Sequence, residues 1–286
     1  MQFQKNILLK NYTTFKIGGP AKYFCAIKDK EELVEAIAFA KKGQLPFFVL
    51  GGGSNLLVSD KGFKGLVLKI QDLRLRIKDS TIYAGAGASL TELVNAAANA
   101  GLSGMEWAAG IPGATVGGAI RGNAGAFEVE MKDIVRKVEA FDANDLRFKI
   151  YDLRDCGFSY RSSIFKKNPN LIIISAELNL KKNNKRKVRE KMKEILNYRM
   201  DKHPKFPSAG SIFKNFENIR ARDLIEKAGL KGKKIGGAQI SDQHANFIIN
   251  TGRAKAKDVL ALIDLAKKEV KNKLGVAIEE EIQILS

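Results

Sequence analysis

The turn at residues 51–55 combines residue types that could hold a phosphate. It follows the apolar run "LPFFVL" and consists of Gly51, Gly52, Gly53, Ser54 and Asn55. Because glycine tolerates positive φ and has no Cβ, the amides of such a turn can approach a ligand closely. This donor set suits a pyrophosphate held by backbone dipoles, and a plain strand-end turn is the alternative. No Gly-Lys-Ser/Thr follows and the spacing is not GxGxxG, which excludes a Walker A loop and a Rossmann fingerprint.

The stretch "GIPGATVGGAIRGNAGAF" at 110–127 is the second candidate ligand segment. It contains six glycines and no acidic residue, and Arg121 is its one charged side chain. A long uncharged backbone suits a large flat ring such as isoalloxazine, whose edges take hydrogen bonds from the main chain. A glycine corner packed inside the core is the alternative. The residues expected at the ring are Gly110, Gly113, Thr115, Gly117 and Gly118.

Local patterns around these turns mix helices and strands without strict alternation, which predicts an α+β fold. Ser89 with Glu92 three residues later predicts a capping box at the start of a helix. Pro204 and Pro207 make 198–210 the best candidate linker. Apolar spacing of three and four predicts helices at 29–44, from about 89, at about 185–198, at 221–232 and at 256–275. Predicted strands include 63–70, 135–143, 147–153, 170–180, 246–251 and 277–285.

The formal net charge of +18 is spread along the chain. Its densest basic run, 181–205, carries apolar residues at helical spacing, which indicates an amphipathic helix with a solvated lysine-rich face. A field that attracts a small anionic substrate is a second interpretation, and nucleic-acid binding is a third. No RNP-type aromatic pattern, helix-turn-helix or zinc finger supports the third, so we expect no nucleic-acid partner.

The cysteines and histidines do not form a recognisable site. Cys25 and Cys156 are too few for a disulfide framework, which indicates reduced thiols in a cytoplasmic protein. His203 and His244 lie 41 residues apart without cysteine spacing, so we expect no metal site. The first 19 residues lack a signal-peptide pattern, and no window is apolar enough for a membrane span.

Six segments together match a known family. They are "NYTTFKIGGPAKYF", "LGGGSNLLVSD", "GIPGATVGGAIRGNAGAF", "SYRSS", "PSAGSIFKNF" and "EEEIQIL". In this order, from about residue 10 onward, the chain resembles the UDP-N-acetylenolpyruvoylglucosamine reductase family, flavoenzymes of peptidoglycan precursor synthesis. The resemblance implies an FAD-dependent oxidoreductase with a vanillyl-alcohol-oxidase-type (PCMH) FAD-binding fold and NADPH as co-substrate. The compact spacing after Ser211 resembles the shorter type, which lacks a substrate-capping tyrosine insertion.

The same resemblance implies a division of the chain. Residues 1–70 with 275–286 and residues 71–197 would form two FAD-binding lobes, and 198–274 the substrate-binding domain. Pro112, Asn123 and Ala124 join the glycines above as implied FAD contacts. The sequence departs from the family after Phe127, where a glycine is common. We expect a monomer whose partners are the UDP-sugar and NADPH.

The implied reaction adds a hydride and a proton to the enolpyruvyl double bond of the UDP-sugar. Arg161 of "FSYRSS" would hold the substrate carboxylate and the charge that develops there. Ser211 matches the family's proton donor, although a serine is a poor acid in water. Glu281 matches the third catalytic residue and would lie opposite Arg161. The register places Glu279 as the first acid of the family's Glu-Pro-Glu pattern, with Glu280 in place of the proline.

Further polar residues match substrate-contacting segments. Gln243 and Asn246 are candidate pocket residues, and we interpret His244 as structural rather than catalytic. Phe216 and His203 replace a common proline and glutamine. The implied substrate-binding residues are Tyr160, Lys202, Lys214, Asn215 and Gln243. Two other functions remain open at this stage: a different flavin oxidase of the same fold, and a cofactor-free nucleic-acid-binding protein.

Overall fold

A computed structural model of the protein describes residues 1–217 and 219–286. The strands are β1 (Gln4–Leu8), β2 (Pro20–Ile27), β3 (Phe47–Leu50), β4 (Leu56–Val58), β5 (Phe63–Ile70), β6 (Leu75–Lys78), β7 (Thr81–Gly85), β8 (Leu102–Ser103), β9 (Gly125–Ala126), β10 (Val129–Glu130), β11 (Val135–Asp142), β12 (Arg147–Asp152), β13 (Leu171–Asn179), β14 (Lys181–Lys182), β15 (Ser208–Ser211), β16 (Lys234–Ile235), β17 (Ala238–Ile240), β18 (Phe247–Asn250) and β19 (Gln283–Leu285). The α-helices are α1 (Lys30–Lys42), α2 (Leu90–Ala100), α3 (Val116–Arg121), α4 (Ile164–Lys167), α5 (Lys185–Lys202), α6 (Ala221–Lys227) and α7 (Ala256–Leu274). Short 3₁₀ turns occupy Leu9–Tyr12, Glu106–Ala108 and Met131–Asp133.

The chain divides into two compact units, and neither is continuous in sequence. The first unit consists of 1–3, 24–52 and 66–199, and the second of 4–23, 53–65 and 200–286. The three-part functional division into 1–70 with 275–286, 71–197 and 198–274 stays a prediction.

An antiparallel sheet with the order β12–β11–β13–β7–β6 forms the centre of the first unit. Strand β13 carries the apolar run "LIII" and pairs with β11 on one side and β7 on the other. Its central position explains this run, because an inner strand covered on both faces needs few polar residues. In the same unit β3 pairs with β5 in parallel, with Phe47 opposite Leu66.

Helices α1 and α2 of the first unit follow the predicted periodicity. Leu33, Ala36, Ile37 and Ala40 form the buried stripe of α1 at spacings of three and four. The predicted capping box at Ser89 was wrong in detail. The Ser89 hydroxyl accepts a hydrogen bond from the Thr91 amide at 3.1 Å, which is the second helical position instead of the third.

The second unit packs α6 and α7 against an antiparallel sheet with the order β15–β18–β17–β16. Val259, Leu262, Ile263, Ala266 and Val270 form the buried face of α7. Within this unit β19 pairs with β4 in parallel, with Gln283 opposite Leu56 and Leu285 opposite Val58. This pairing brings the residues just before β19 close to the segment that ends the glycine turn.

Two boundaries differ from the sequence predictions. The final strand begins only at Gln283, so the predicted strand over 277–285 was too long. The predicted linker at 198–210 is helical up to Lys202 and extended again from Ser208. Within the part of the chain that the structure describes, no helix combines the length and apolarity needed to cross a membrane.

Candidate functional site

The two glycine segments of the first unit are in direct contact. A Cβ on Gly52 would lie 1.3 Å from the carbonyl oxygen of Gly113, and one on Gly51 would lie 2.7 Å from Thr115 Oγ1. Side chains at these positions would push the two loops apart. Lys69 supports the turn at 51–55, since its ammonium donates a hydrogen bond to the Gly51 carbonyl. Burial lowers the pKa of this ammonium.

The surface of these loops fits the FAD expected from the sequence. Gly110, Pro112, Gly113 and Gly118 are exposed and carry no charge. Thr115 is only 7% exposed, and its hydroxyl has no hydrogen-bond partner among the described residues. A buried hydroxyl beside bare, uncharged backbone is what a flat polar-edged cofactor would cover and satisfy.

Other residues expected at the cofactor are already engaged within the fold. The amide of Gly117 donates to the Ala86 carbonyl at 2.9 Å, and a Cβ on Gly117 would meet Ala86 Cβ at 2.8 Å. Asn123 is fully buried. Their roles at FAD, like those of half-buried Ala124 and of Gly53, Ser54 and Asn55 in the second unit, stay predictions.

Arg161 occupies a strained position in the first unit. Its φ is +54°, in the left-handed region that a non-glycine residue rarely adopts, within a turn closed by two hydrogen bonds between Ser159 and Ser162. Its Nη2 donates to the Gly125 carbonyl at 3.0 Å, and its Nη1 lies 3.9 Å from Glu130 Oε1. The guanidinium lies 5.1 Å from the ring of Tyr160. Such backbone strain is typical of functional positions.

Asn123 links the Arg161 turn to the loop that follows the glycine segment. Its Nδ2 donates to Glu130 Oε2 at 2.9 Å and to the Ser159 carbonyl at 3.0 Å. Its Oδ1 accepts from the Lys132 amide at 3.0 Å. The Lys132 ammonium in turn lies 3.0 Å from Glu130 Oε2. Arg161 is therefore held by a network of charged groups centred on one buried amide.

In the second unit the structure brings together Ser211 and Glu281, which are 70 positions apart in sequence. The Glu281 amide donates to the Ile212 carbonyl at 2.7 Å, and the Lys214 amide donates to the Glu279 carbonyl at 2.9 Å. Phe213 and Glu280 form an isolated antiparallel bridge between these two bonds. The three glutamates thus run alongside the segment that follows Ser211.

Lysines engage Glu279 and Glu280. Lys214 Nζ lies 2.9 Å from Glu279 Oε2, and this hydrogen bond lowers the pKa of Glu279. Lys267 Nζ lies 2.9 Å from Glu280 Oε1. Burial raises the pKa of Glu280, but the hydrogen bond from Lys267, a backbone hydrogen bond and the charges of Lys267 and Lys214 together outweigh it, and the net shift is downward. Both carboxylates are therefore held in the ionised form.

The remaining residues expected at the substrate lie at the surfaces of their units. Tyr160 is 47% exposed in the first unit. In the second unit Gln243 Nε2 donates to the Asp201 carbonyl at 2.6 Å, and Lys202 Nζ lies 2.7 Å from Asp201 Oδ2. Asn215 Oδ1 accepts from the Ala221 amide at 3.1 Å and caps α6, which gives it a structural task besides the predicted one.

His244 packs against aromatic rings in the second unit. Its ring centroid lies 4.8 Å from that of Phe247 and 5.7 Å from that of His203. Burial, followed by the charges of His203 and Arg222, lowers the pKa of His244 to about 4. Such a histidine is neutral near pH 7, which agrees with the structural interpretation.

Thiols and metal ligands add no further site within the described residues. Cys25 and Cys156 are buried and unpaired, and burial raises the pKa of each to about 12. Such thiols are inert rather than nucleophilic. Among the described residues, no three His, Cys, Asp or Glu side chains gather as metal ligands would.

Comparison with known proteins identifies the family. The chain is 46% identical to the UDP-N-acetylenolpyruvoylglucosamine reductase of Caldanaerobacter subterraneus subsp. tengcongensis over 279 residues, which cover 97% of this chain and 91% of that protein. The chain belongs to the UDP-N-acetylenolpyruvoylglucosamine reductase family. It is also 41% identical to the reductase of Lactobacillus delbrueckii subsp. bulgaricus, over 100% of this chain and 96% of that protein.

Family models and a solved structure agree with this membership. Residues 202–285 match the C-terminal domain of UDP-N-acetylenolpyruvoylglucosamine reductase, and residues 21–148 match an FAD binding domain. The crystal structure of the reductase from Thermus caldophilus is similar with a TM-score of 0.86 and 39% identity, over 100% of both chains. The chain is therefore an FAD-dependent oxidoreductase of this family, and the predicted α+β, vanillyl-alcohol-oxidase-type fold is confirmed.

Sequence reasoning missed the residues that hold the predicted catalytic groups in this reductase family member. Glu130 lies in the segment after Phe127 that departs from the family pattern, so nothing singled it out. Asn246 was a candidate pocket residue, but it is 4% exposed and its side chain bonds the backbone of Phe213. A polar residue at the edge of an apolar run was the available signal, because such a residue, once buried, needs an internal partner.

Proposed function

We propose that the chain catalyses the NADPH-dependent reduction of UDP-N-acetylglucosamine enolpyruvate to UDP-N-acetylmuramate. The observation that carries this proposal is the alignment of Glu279–Glu281 along the segment after Ser211, which gives one unit both a candidate proton donor and a candidate acid. FAD, when bound, takes a hydride from NADPH and supplies one to the enolpyruvyl double bond. The turns at 51–55 and 110–124 would hold it.

Arg161 stabilises the substrate carboxylate in this proposal. Addition to an enol ether conjugated with a carboxylate places negative charge on that carboxylate, and a guanidinium can stabilise it by donating two parallel hydrogen bonds to its oxygens. Its strained turn and its bonds to Gly125 and Glu130 restrict the orientation of the side chain. A fixed cation loses little entropy when it meets developing charge.

Ser211 donates the proton to the neighbouring carbon, and Glu281 assists. A serine is a weak acid, so the site has to stabilise the alkoxide that forms. Lys214 and Lys267 hold the neighbouring Glu279 and Glu280 ionised. Tyr160, Lys202, Lys214, Asn215 and Gln243 would contact the UDP-sugar.

The proposal includes the division of labour along the chain. Residues 1–70 with 275–286 and residues 71–197 carry the cofactor, and 198–274 carry the substrate. The enzyme acts as a monomer in the cytoplasm, where NADPH and the UDP-sugar are available. A different flavin oxidase of the same fold is the alternative, and the substrate experiment below separates the two.

Anaerobic stopped-flow measurement of the absorbance of the flavin band, at about 450 nm, tests the function. The protein is reduced with NADPH and then mixed with UDP-N-acetylglucosamine enolpyruvate. We expect rapid return of the oxidised band without oxygen. Ser211→Ala should leave reduction by NADPH nearly intact and slow the return by at least ~100-fold, while Ser208→Ala in the same strand should leave both steps unchanged. Reduction without return in the unaltered protein would discard this substrate.

A further inference from the structure

Asn246 fastens the segment that follows Ser211. Its Oδ1 accepts from the Phe213 amide at 2.9 Å, and its Nδ2 donates to the Phe213 carbonyl at 2.8 Å. Its own carbonyl accepts from the Ile212 amide at 2.8 Å. Asn246 therefore makes three hydrogen bonds to the two residues after Ser211. It is only 4% exposed.

The regular sheet cannot perform this task alone. The pairing of β15 with β18 shifts register between Ser208 and Ser211, and Gly210 within the shift has a φ of +74°. An extra residue in a strand re-aims the side chains that follow it and interrupts the ladder. The ladder resumes at Ser211, which pairs with Phe247, and β15 ends there. The Asn246 side chain supplies the hydrogen bonds that a neighbouring strand would otherwise make.

The hydrogen bonds of Asn246 also set the register of Glu281. Asn246 occupies the amide and carbonyl of Phe213, while the Ile212 carbonyl and the Lys214 amide face the glutamate segment and bond Glu281 and Glu279. Alternate residues of one extended segment thus bond opposite neighbours. A shift of Phe213 would move Ser211 and the glutamate segment together.

We propose that Asn246 is a positioning residue for the proton-transfer step. It fixes Ile212 and Phe213 so that the Ser211 hydroxyl and Glu281 keep one mutual register. This inference rests on the proposed function. A carboxamide suits the role because it presents a donor and an acceptor in one plane, whereas an ionised aspartate has no donor for the Phe213 carbonyl. A displacement of about 1 Å at a reacting group can slow a reaction ~100-fold.

The variant Asn246→Asp tests the proposal, because a protonated aspartic acid restores the donor and an ionised one does not. At pH 8 we expect reoxidation of the reduced flavin by the UDP-sugar to slow by ~10- to 100-fold, with reduction by NADPH within twofold of the unaltered protein. As pH falls toward 5, the ratio of variant to unaltered reoxidation rate should recover. Asn246→Ser, which is too short to reach Phe213 and does not titrate, should show the same selective loss without recovery.

Asn250→Asp is the matched control. Asn250 is also buried and lies on β18, but its Nδ2 donates to the Phe15 carbonyl and its Oδ1 accepts from Gly252 and Ala254. The same chemical change there should lower stability while leaving the ratio of the two half-reactions unchanged. Equal slowing of both half-reactions in Asn246→Asp, a loss matched by Asn250→Asp, or no recovery at low pH would overturn the proposal.

Failure of the proposed function is a separate result. If the unaltered reduced protein is not reoxidised by the UDP-sugar, the function fails and the positioning role fails with it. If the unaltered protein turns over and Asn246→Asp behaves like Asn250→Asp, only the positioning role fails. Melting temperatures of all variants show whether each is folded at the assay temperature.

Discussion

Asn123 in the first unit and Asn246 in the second are buried asparagines that hold predicted catalytic segments in different ways. Asn123 bonds a charged side chain, a carbonyl and an amide, within a network that contains Glu130, Lys132 and Arg161. The side chain of Asn246 bonds the backbone of one residue, Phe213. The arrangement around Asn123 holds the Arg161 cation beside the carboxylate of Glu130. The arrangement around Asn246 holds the segment of the neutral Ser211 hydroxyl through backbone hydrogen bonds.

The difference follows from what each segment carries. In the proposed function the Arg161 guanidinium meets a substrate carboxylate. A guanidinium is costly to bury alone, and a nearby acid that partly compensates its charge lowers this cost. A serine needs direction rather than compensation, and backbone bonds supply direction without adding charge. The first arrangement should therefore respond to changes in charge and the second to changes in hydrogen-bond pattern.

The largest expected effect is on stability, from Asn123→Ala. This change removes three hydrogen bonds, leaves the Ser159 carbonyl and the Lys132 amide without that partner, and places alanine at a φ of +43°. We expect a loss of about 3–4 kcal/mol in the free energy of unfolding, against about 2–3 kcal/mol for Asn246→Ala, which removes two. Urea unfolding followed by circular dichroism and by fluorescence of Trp107, the single tryptophan, measures both. A larger loss for Asn246→Ala would contradict the comparison.

Acid should lower the free energy of unfolding through His244, which lies two positions before Asn246. In the folded protein His244 binds a proton only near pH 4, against an ordinary value of 6.5. Between these values the unfolded chain binds more protons, so the free energy of unfolding falls as pH decreases from about 6.5 to about 4, and the full contribution is present above 6.5. We expect His244→Gln to remove about 1–2 kcal/mol of the stability difference between pH 7 and pH 4.5, allowing for partial solvent screening.

Urea titrations of both proteins at the two pH values measure this difference. His203→Gln serves as the neighbouring control, and its effect should be smaller, because burial is the first cause of the His244 shift and the charge of His203 the second. An unchanged pH dependence in His244→Gln would show that other groups control the acid response.

The smallest expected change in stability comes from Glu130→Gln. The amide can still accept from Asn123, and the two ion pairs that the change removes, with Arg161 at 3.9 Å and with Lys132 at 3.0 Å, are both partly exposed, so we expect a loss of ~1 kcal/mol at most. With less negative charge beside it, Arg161 should attract the substrate carboxylate more strongly, and we expect KM for the UDP-sugar to fall about threefold and to depend more steeply on salt.

Steady-state kinetics at two ionic strengths measure this effect. Glu128→Gln makes the same change two positions away at an exposed residue and should leave KM and its salt dependence unaltered. A rise in KM for Glu130→Gln, with Glu128→Gln unchanged, would mean that Glu130 orients Arg161 more than it compensates its charge.

Much of the fold follows from local sequence patterns. Helix α7 and strand β13 were predicted closely, because the periodicity of buried residues and the run of β-branched residues are visible within each segment. The final strand was predicted too long, because "AIEEEIQIL" is compatible with extended structure throughout. Only its partners distinguish Gln283–Leu285, paired with β4, from the glutamates, which bond the segment after Ser211.

The candidate site was predictable only where a motif carries it. The glycine turns, Arg161 and Ser211 stand out by type and context. Glu130 and Asn246 do not, because their roles depend on an ion pair with Arg161 and on hydrogen bonds to Phe213, each more than 30 positions away. The register shift before Ser211 was also hidden, since it exists only relative to β18.

The parallel pairing of β19 with β4 has a consequence for the order of biosynthesis. Leu56, Leu57 and Val58 emerge from the ribosome early, but their partner strand is translated more than two hundred residues later. These residues are at most 4% exposed in the folded protein, so during synthesis they lack the strand that finally pairs with them. The glutamate segment that bonds the residues after Ser211 is likewise translated long after them. A nascent chain can therefore complete the first unit, which ends at residue 199, before either of these pairings forms in the second.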